Sequence, residues 1–138
     1  SRYSNHPKYK YKLLSIINEK NGKQKILAFL ITREIMILEA KIIRIVDLFN
    51  HTKLDYYFYF ALKKFIECEG AEYIDILTNK NISKELKKIN FQENSENNFV
   101  PNHFEPFDKK NKKIIFGIKS DKEYVIFKGD VDTDRPNF

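Results

Sequence analysis

A mixed-sheet α/β domain is the fold class this sequence predicts, and three observations carry the prediction. Residues 52–69 repeat apolar side chains at helical spacing. The runs on either side of them, 41–49 and 71–78, are short, apolar and rich in β-branched residues, so the order is strand, helix, strand. Ahead of them, two alternating segments flank an Asn21-Gly22 pair, the residue types that tolerate positive φ in a hairpin turn.

The hairpin is expected over residues 11–18 and 25–32, joined by 19–23. Residues 33–40 read either as a helical turn or as more hairpin. The run 41–49, with Ile42, Ile43, Ile45 and Val46, alternates imperfectly, as a central strand covered on both faces would. Thr52 with Asp55 three residues later has the form of a helix N-cap with an acidic partner, and Gly70 supplies the stop. Between them Leu54, Phe58, Ala61, Leu62, Phe65 and Ile66 form the apolar stripe. Tight connections on both sides of this helix predict a right-handed crossover with its two strands parallel. A shorter helix is expected over 81–90, with Ile82, Leu86 and Ile89 on one side. A polar loop with Pro101 and Pro106 then leads to a closing hairpin, 113–119 and 123–128, around Ser120-Asp121-Lys122.

The chain has 138 residues, 42% apolar and 32% charged, the balance of one domain that buries roughly two-thirds of its unfolded surface. Apolar stretches such as 42–49 fall far short of the ~20 residues a bilayer requires, so no membrane partner and a cytoplasmic location are expected. Cys68 stands alone and the histidines, His6, His51 and His103, are scattered, so neither an internal disulfide nor a bound metal is expected. The net charge of +6 suits a nucleic-acid partner, but its distribution argues against one. The positive charge is nearly all lysine spread along the chain, and the arginines are only Arg2, Arg33, Arg44 and Arg135.

Several short words span almost the whole chain. They are Arg2-Tyr3, His6-Pro7 and Tyr9-Lys10-Tyr11 at the front, then Arg44-Ile45-Val46-Asp47 in the central strand. At the end come Lys128-Gly129-Asp130 and Asp132-Thr133-Asp134-Arg135-Pro136-Asn137. With the element order, these words resemble the carboxy-terminal part of the GNAT N-acetyltransferase superfamily, in particular GNAT-like proteins from bacterial surface-polysaccharide gene neighbourhoods. The resemblance implies a single GNAT-like domain over 1–138 without the first strand and helices of the full fold. It also implies acetyl-CoA or another acyl-CoA as cofactor, and an amino sugar or similar amine as small-molecule substrate. The sequence departs from the family where the cofactor's pyrophosphate is held. The segment Asp47-Leu48-Phe49-Asn50-His51-Thr52 has no glycine to bring bare backbone amides against a diphosphate. The short helix also lacks the tyrosine that protonates the leaving thiolate in many members.

On this reading Asp47, Asn50, His51 and Thr52 line the cofactor crevice, with His51 also a candidate base. Asp130, Asp132 and Asp134 alternate, so in an extended segment their carboxylates share one side and suit a base toward an amine. Such a trio could also bind a hard cation such as Ca²⁺ or Mg²⁺, but the preferred reading is that these acids cap backbone amides at a chain end and pair with Arg135. Arg135 and His103 are the candidate substrate-binding residues. The aromatic run Tyr56, Tyr57, Phe58, Tyr59 and Phe60 goes all round its helix, which predicts cover on more than one side, by the sheet and by a second copy or a further element. The alternative to an enzyme is therefore a non-catalytic binding or assembly module.

Overall fold

A computed structural model describes residues 3–4, 9–37, 39–50, 56–79, 83–93, 95, 119, 121–122 and 124–130. Strand β1 (Tyr11–Lys20) turns through Asn21 and Gly22 into β2 (Lys23–Ile37), and β3 (Ala40–Asn50) follows antiparallel to β2. Helix α1 (Tyr56–Glu69) leads to β4 (Tyr73–Ile76), which pairs parallel with β3. Helix α2 (Ser83–Lys88) comes next, and a single 3-10 turn covers Lys128–Asp130. The sheet order is β1-β2-β3-β4.

The expected hairpin is there and longer than its apolar pattern. Asn21 and Gly22 lie at φ 52° and 72°, the two positive values a two-residue turn matched to strand twist requires, so pairing extends to Lys20↔Lys23. At the other end the open choice over 33–40 resolves as hairpin. β2 continues to Ile37 because Arg33, Glu34, Ile35 and Met36 find partners along β3 from Arg44 to Lys41. The expected crossover also forms, with β3 and β4 parallel from Ile42↔Tyr73 to Ile45↔Ile76.

One face of the sheet carries the apolar core. Leu14, Ile16, Ala28, Leu30, Ile45, Leu48, Ile74 and Ile76 meet Phe58 and Leu62 of α1 and Leu86 and Ile89 near α2. Each fully buried Leu, Ile or Phe among them contributes roughly 1.5–3 kcal/mol by leaving water, so the helical stripe holds α1 to the sheet. Both helices stop as expected. Gly70 N–H donates to the Glu67 carbonyl at 3.2 Å and Ala71 N–H to that of Ile66 at 3.1 Å. Asn90, at φ 65°, ends α2 in the same way, with Phe91 N–H donating to the Leu86 carbonyl. Lys41 adds a cation at the α1 terminus. Its Nζ reaches the Glu69 carbonyl at 2.9 Å and the Glu69 carboxylate at 2.8 Å, which Lys12 also holds at 2.8 Å.

Of the expected closing hairpin, residues 113–118, 120 and 123 lie outside the described residues, and the second arm is corrected from residue 124 on. Tyr124, Val125 and Ile126 form no strand, Phe127 makes one antiparallel bridge to Thr78, and Lys128 already belongs to the 3-10 turn. Asn79, just beyond β4, holds these residues. Its side-chain amide donates to the Tyr124 carbonyl at 2.6 Å and its backbone amide to that of Ile126 at 3.3 Å, so a side chain takes the place of a ladder. The expected helix cap at Thr52 and Asp55, residue Ile82 and the strand at 113–118 fall outside the described residues.

Candidate functional site

The face of the sheet away from the helices is polar at its centre. Arg33 of β2 lies opposite Arg44 of β3, which lies opposite Asp75 of β4, so the three side chains stand in one row across three strands. Arg44 grips Asp75 side-on: Nε donates to Oδ1 at 3.1 Å and Nη2 to Oδ2 at 2.9 Å. Arg33 and Arg44 are both buried, and Lys128 is 1% exposed. Burial pushes the Asp75 carboxyl above its ordinary value, outweighing the opposing pull of Arg44, Lys128 and Arg33. Tyr73, one strand position further along the same face, is likewise raised by burial first and by the Asp75 charge second.

Tyrosines wall the cluster. The Arg33 guanidinium lies 4.1 Å from the centre of the Tyr9 ring, a cation on a π face. Tyr11 meets Tyr9 edge-on at 6.2 Å and Tyr3 at 5.2 Å. The Tyr3 hydroxyl donates to Asp47 Oδ2 at 3.2 Å, while Asp47 Oδ1 accepts the Leu48 amide at 2.9 Å.

Asp47 marks the place where the parallel strands separate. Pairing of β3 with β4 ends at Ile45↔Ile76, β3 runs on to Asn50, and the register against β2 slips between Ile31↔Asp47 and Thr32↔Ile45, leaving Val46 as the extra residue. The 3-10 turn packs at this bulge. A Cβ on Gly129 would collide with the Tyr3 hydroxyl and lie 3.1 Å from the Val46 carbonyl oxygen, so any larger residue must push the Tyr3 ring aside and press on β3. Three of the words singled out in the sequence therefore meet here: Tyr3, the Arg44–Asp47 stretch of β3 and Lys128–Asp130.

The proposed site residues divide accordingly. Asp47 is buried beside the bulge with both oxygens engaged, so it offers a diphosphate no donor and does not fit as a pyrophosphate ligand. Asn50 closes β3 opposite Ala28. Asp130 lies in a 3-10 turn and not in an extended segment, which corrects the premise of the alternating carboxylates. Its Oδ2 accepts the Phe127 amide at 2.9 Å, closing its own turn as the capping alternative has it. His51, Thr52, His103, Asp132, Asp134 and Arg135 fall outside the described residues. Among the described residues no three His, Cys, Asp or Glu side chains gather as metal ligands, and no helix is long and apolar enough to cross a membrane.

Arg33, Tyr73 and Asp75 escaped the sequence reading as site residues. Their signal was present: each interrupts or borders an apolar strand, and two of the four arginines, Arg33 and Arg44, sit in the middle of such runs. What was missing was the register that aligns them. Family models, curated proteins and solved structures provide no match to this chain. The class that the fold defines is a mixed α/β protein built on a four-stranded mixed sheet.

Proposed function

We propose that the chain is a GNAT-like acyltransferase domain directed at an amino sugar or similar amine, with a degenerate donor loop. The observation that supports this reading is that parallel β3 and β4 part beyond Ile45↔Ile76, beside the Asp47 bulge, where the Lys128–Asp130 turn packs. Ligands of α/β sheets bind beyond the carboxyl ends of the parallel strands, which is where this turn sits. In this reading His51 or the carboxylates of Asp132 and Asp134 take the proton from the acceptor amine, and Arg135 and His103 orient it. Asp47 holds the turn in place through Tyr3. Because Asp47 does not suit a diphosphate, the donor is expected to bind weakly. Calorimetry and thermal melting with acetyl-CoA test the proposal. Saturable heat and a raised melting temperature support it, and neither effect at millimolar ligand removes the catalytic version.

A second reading, a non-catalytic assembly module, is favoured by the leading end of α1. Phe58 enters the core, whereas Tyr56 and Tyr57 are 67% and 63% exposed, and the Tyr56 and Phe60 rings meet at a tilt, 4.1 Å between centres, on the surface. Loss of self-association in a Tyr56→Ser/Tyr57→Ser variant, read by sedimentation, would support that module. A wild-type chain that stays monomeric would remove it.

A further inference from the structure

Strand β1 has β2 on one side and, among the described residues, no strand on the other. An exposed edge of this kind offers a row of amides and carbonyls to any extended partner, and proteins usually blunt it with proline, charge or a bulge. β1 has none of these at its centre. Its middle reads Leu13-Leu14-Ser15-Ile16-Ile17, and the irregularity against β2 places the extra residue, Leu27, on β2. β1 itself therefore alternates without interruption. Leu14 and Ile16 face the helices and join the core, while Leu13, Ser15 and Ile17 face the other way, Leu13 70% and Ile17 44% exposed.

The pattern is symmetric about Ser15. Set antiparallel to a second copy with Ser15 facing Ser15, β1 pairs Leu13 with Ile17 on the outer face and Leu14 with Ile16 on the helix face. Lys12 then faces Asn18 and Tyr11 faces Glu19, so no like charges oppose one another from 11 to 19. The outer face continues the match. Ser15 pairs with Phe29 and Phe29 with Phe49, both rings exposed, so an apolar row leads from the interior of the sheet to the edge. A twofold axis at Ser15 carries that row into the second copy.

We propose that β1 is a homodimerisation edge, at which two copies of this chain join antiparallel about Ser15 into one continuous sheet. The interface is isologous, so each copy supplies the same strand and the assembly closes at two. Main-chain hydrogen bonds supply the attraction, and the symmetric apolar side chains set the register.

Sedimentation velocity of the 138-residue chain over a concentration series is the first test, with a dimer expected. Leu13→Lys/Ile17→Lys should give a monomer with unchanged circular dichroism, whereas Tyr57→Lys should leave the dimer intact. Ser15→Cys in a Cys68→Ser background is the second test and does not depend on the folding of the lysine variant. Opposed residues of an antiparallel pair lie about 5.5 Å apart, within disulfide reach, so mild oxidation should link two chains through position 15. A chain that stays monomeric and forms no linked dimer, as it would if another segment occupied the edge, overturns the proposal. So does a dimer that survives the two lysines or is lost with Tyr57→Lys.

Discussion

The two faces of one sheet are held by different physics. On the helix side Leu30, Ile45 and Leu48 meet Phe58 and Leu62, contacts that have little directional demand and tolerate any side chain of similar volume. On the far side Arg33, Arg44, Asp47, Asp75 and Lys128 are buried or nearly so. Charges there lose their hydration, and only exact partners compensate them. The same strands thus carry a forgiving face that supplies stability and an exacting face that specifies how β3, β4 and the Lys128–Asp130 turn meet.

The sharpest way to break this contrast is to remove one member of the ion pair. Arg44→Met leaves Asp75 buried without its guanidinium and should cost about 3–5 kcal/mol in urea unfolding, while Arg44→Met/Asp75→Leu should recover most of the loss. A double variant no more stable than the single one would show that the far face contributes more than correct pairing. On the helix side Ile45→Ala should cost about 3 kcal/mol by transfer and cavity terms, and Ile45→Val only about 1 kcal/mol, measured in the same way.

A smaller effect isolates the opening between β3 and β4. Gly129→Ala forces a methyl group onto the Tyr3 hydroxyl and the Val46 carbonyl and should cost about 2 kcal/mol. Tyr3→Phe should cost about 1 kcal/mol through the lost hydrogen bond to Asp47. Together the two changes should cost less than their sum, because removing the hydroxyl makes room for the methyl group. Additive losses would mean that Tyr3 and the turn do not share this contact.

The smallest expected effect lies at the rim, where Lys12 and Lys41 hold Glu69. Their hydrogen bonds, that of Lys12 foremost, lower the Glu69 carboxyl from 4.5 to about 2. A carboxyl lowered on folding stabilises the protein fully above its unfolded value and loses that contribution as pH falls through the folded one. Stability should therefore decline from about pH 4.5 towards pH 2, and Glu69→Gln should flatten that part of the profile in pH-dependent thermal melts. The exposure of this cluster keeps the change small and weakens it further in high salt.

Much of the fold was legible because its signals are local. Asn21-Gly22 specifies a turn by positive φ, Gly70 and Asn90 end helices for the same reason, and the stripe through Phe58 and Leu62 declares which side of α1 is buried. The contacts of the terminal segment are not local: the side chain of Asn79, distant in sequence, binds the backbone of Tyr124 and Ile126. Nothing in residues 123–128 announces that partner.

The candidate site divides along the same line. By itself the sequence determined the first hairpin, the helix between two parallel strands and the ends of both helices, because periodicity and turn chemistry act within a few residues. Only the tertiary structure decided that Tyr3, Asp47 and Gly129 touch and that Arg33, Arg44 and Asp75 share a row. Register between strands depends on pairings up to 31 residues apart, such as that of Arg44 with Asp75, and shifting a strand by one residue would turn its charges to the opposite face.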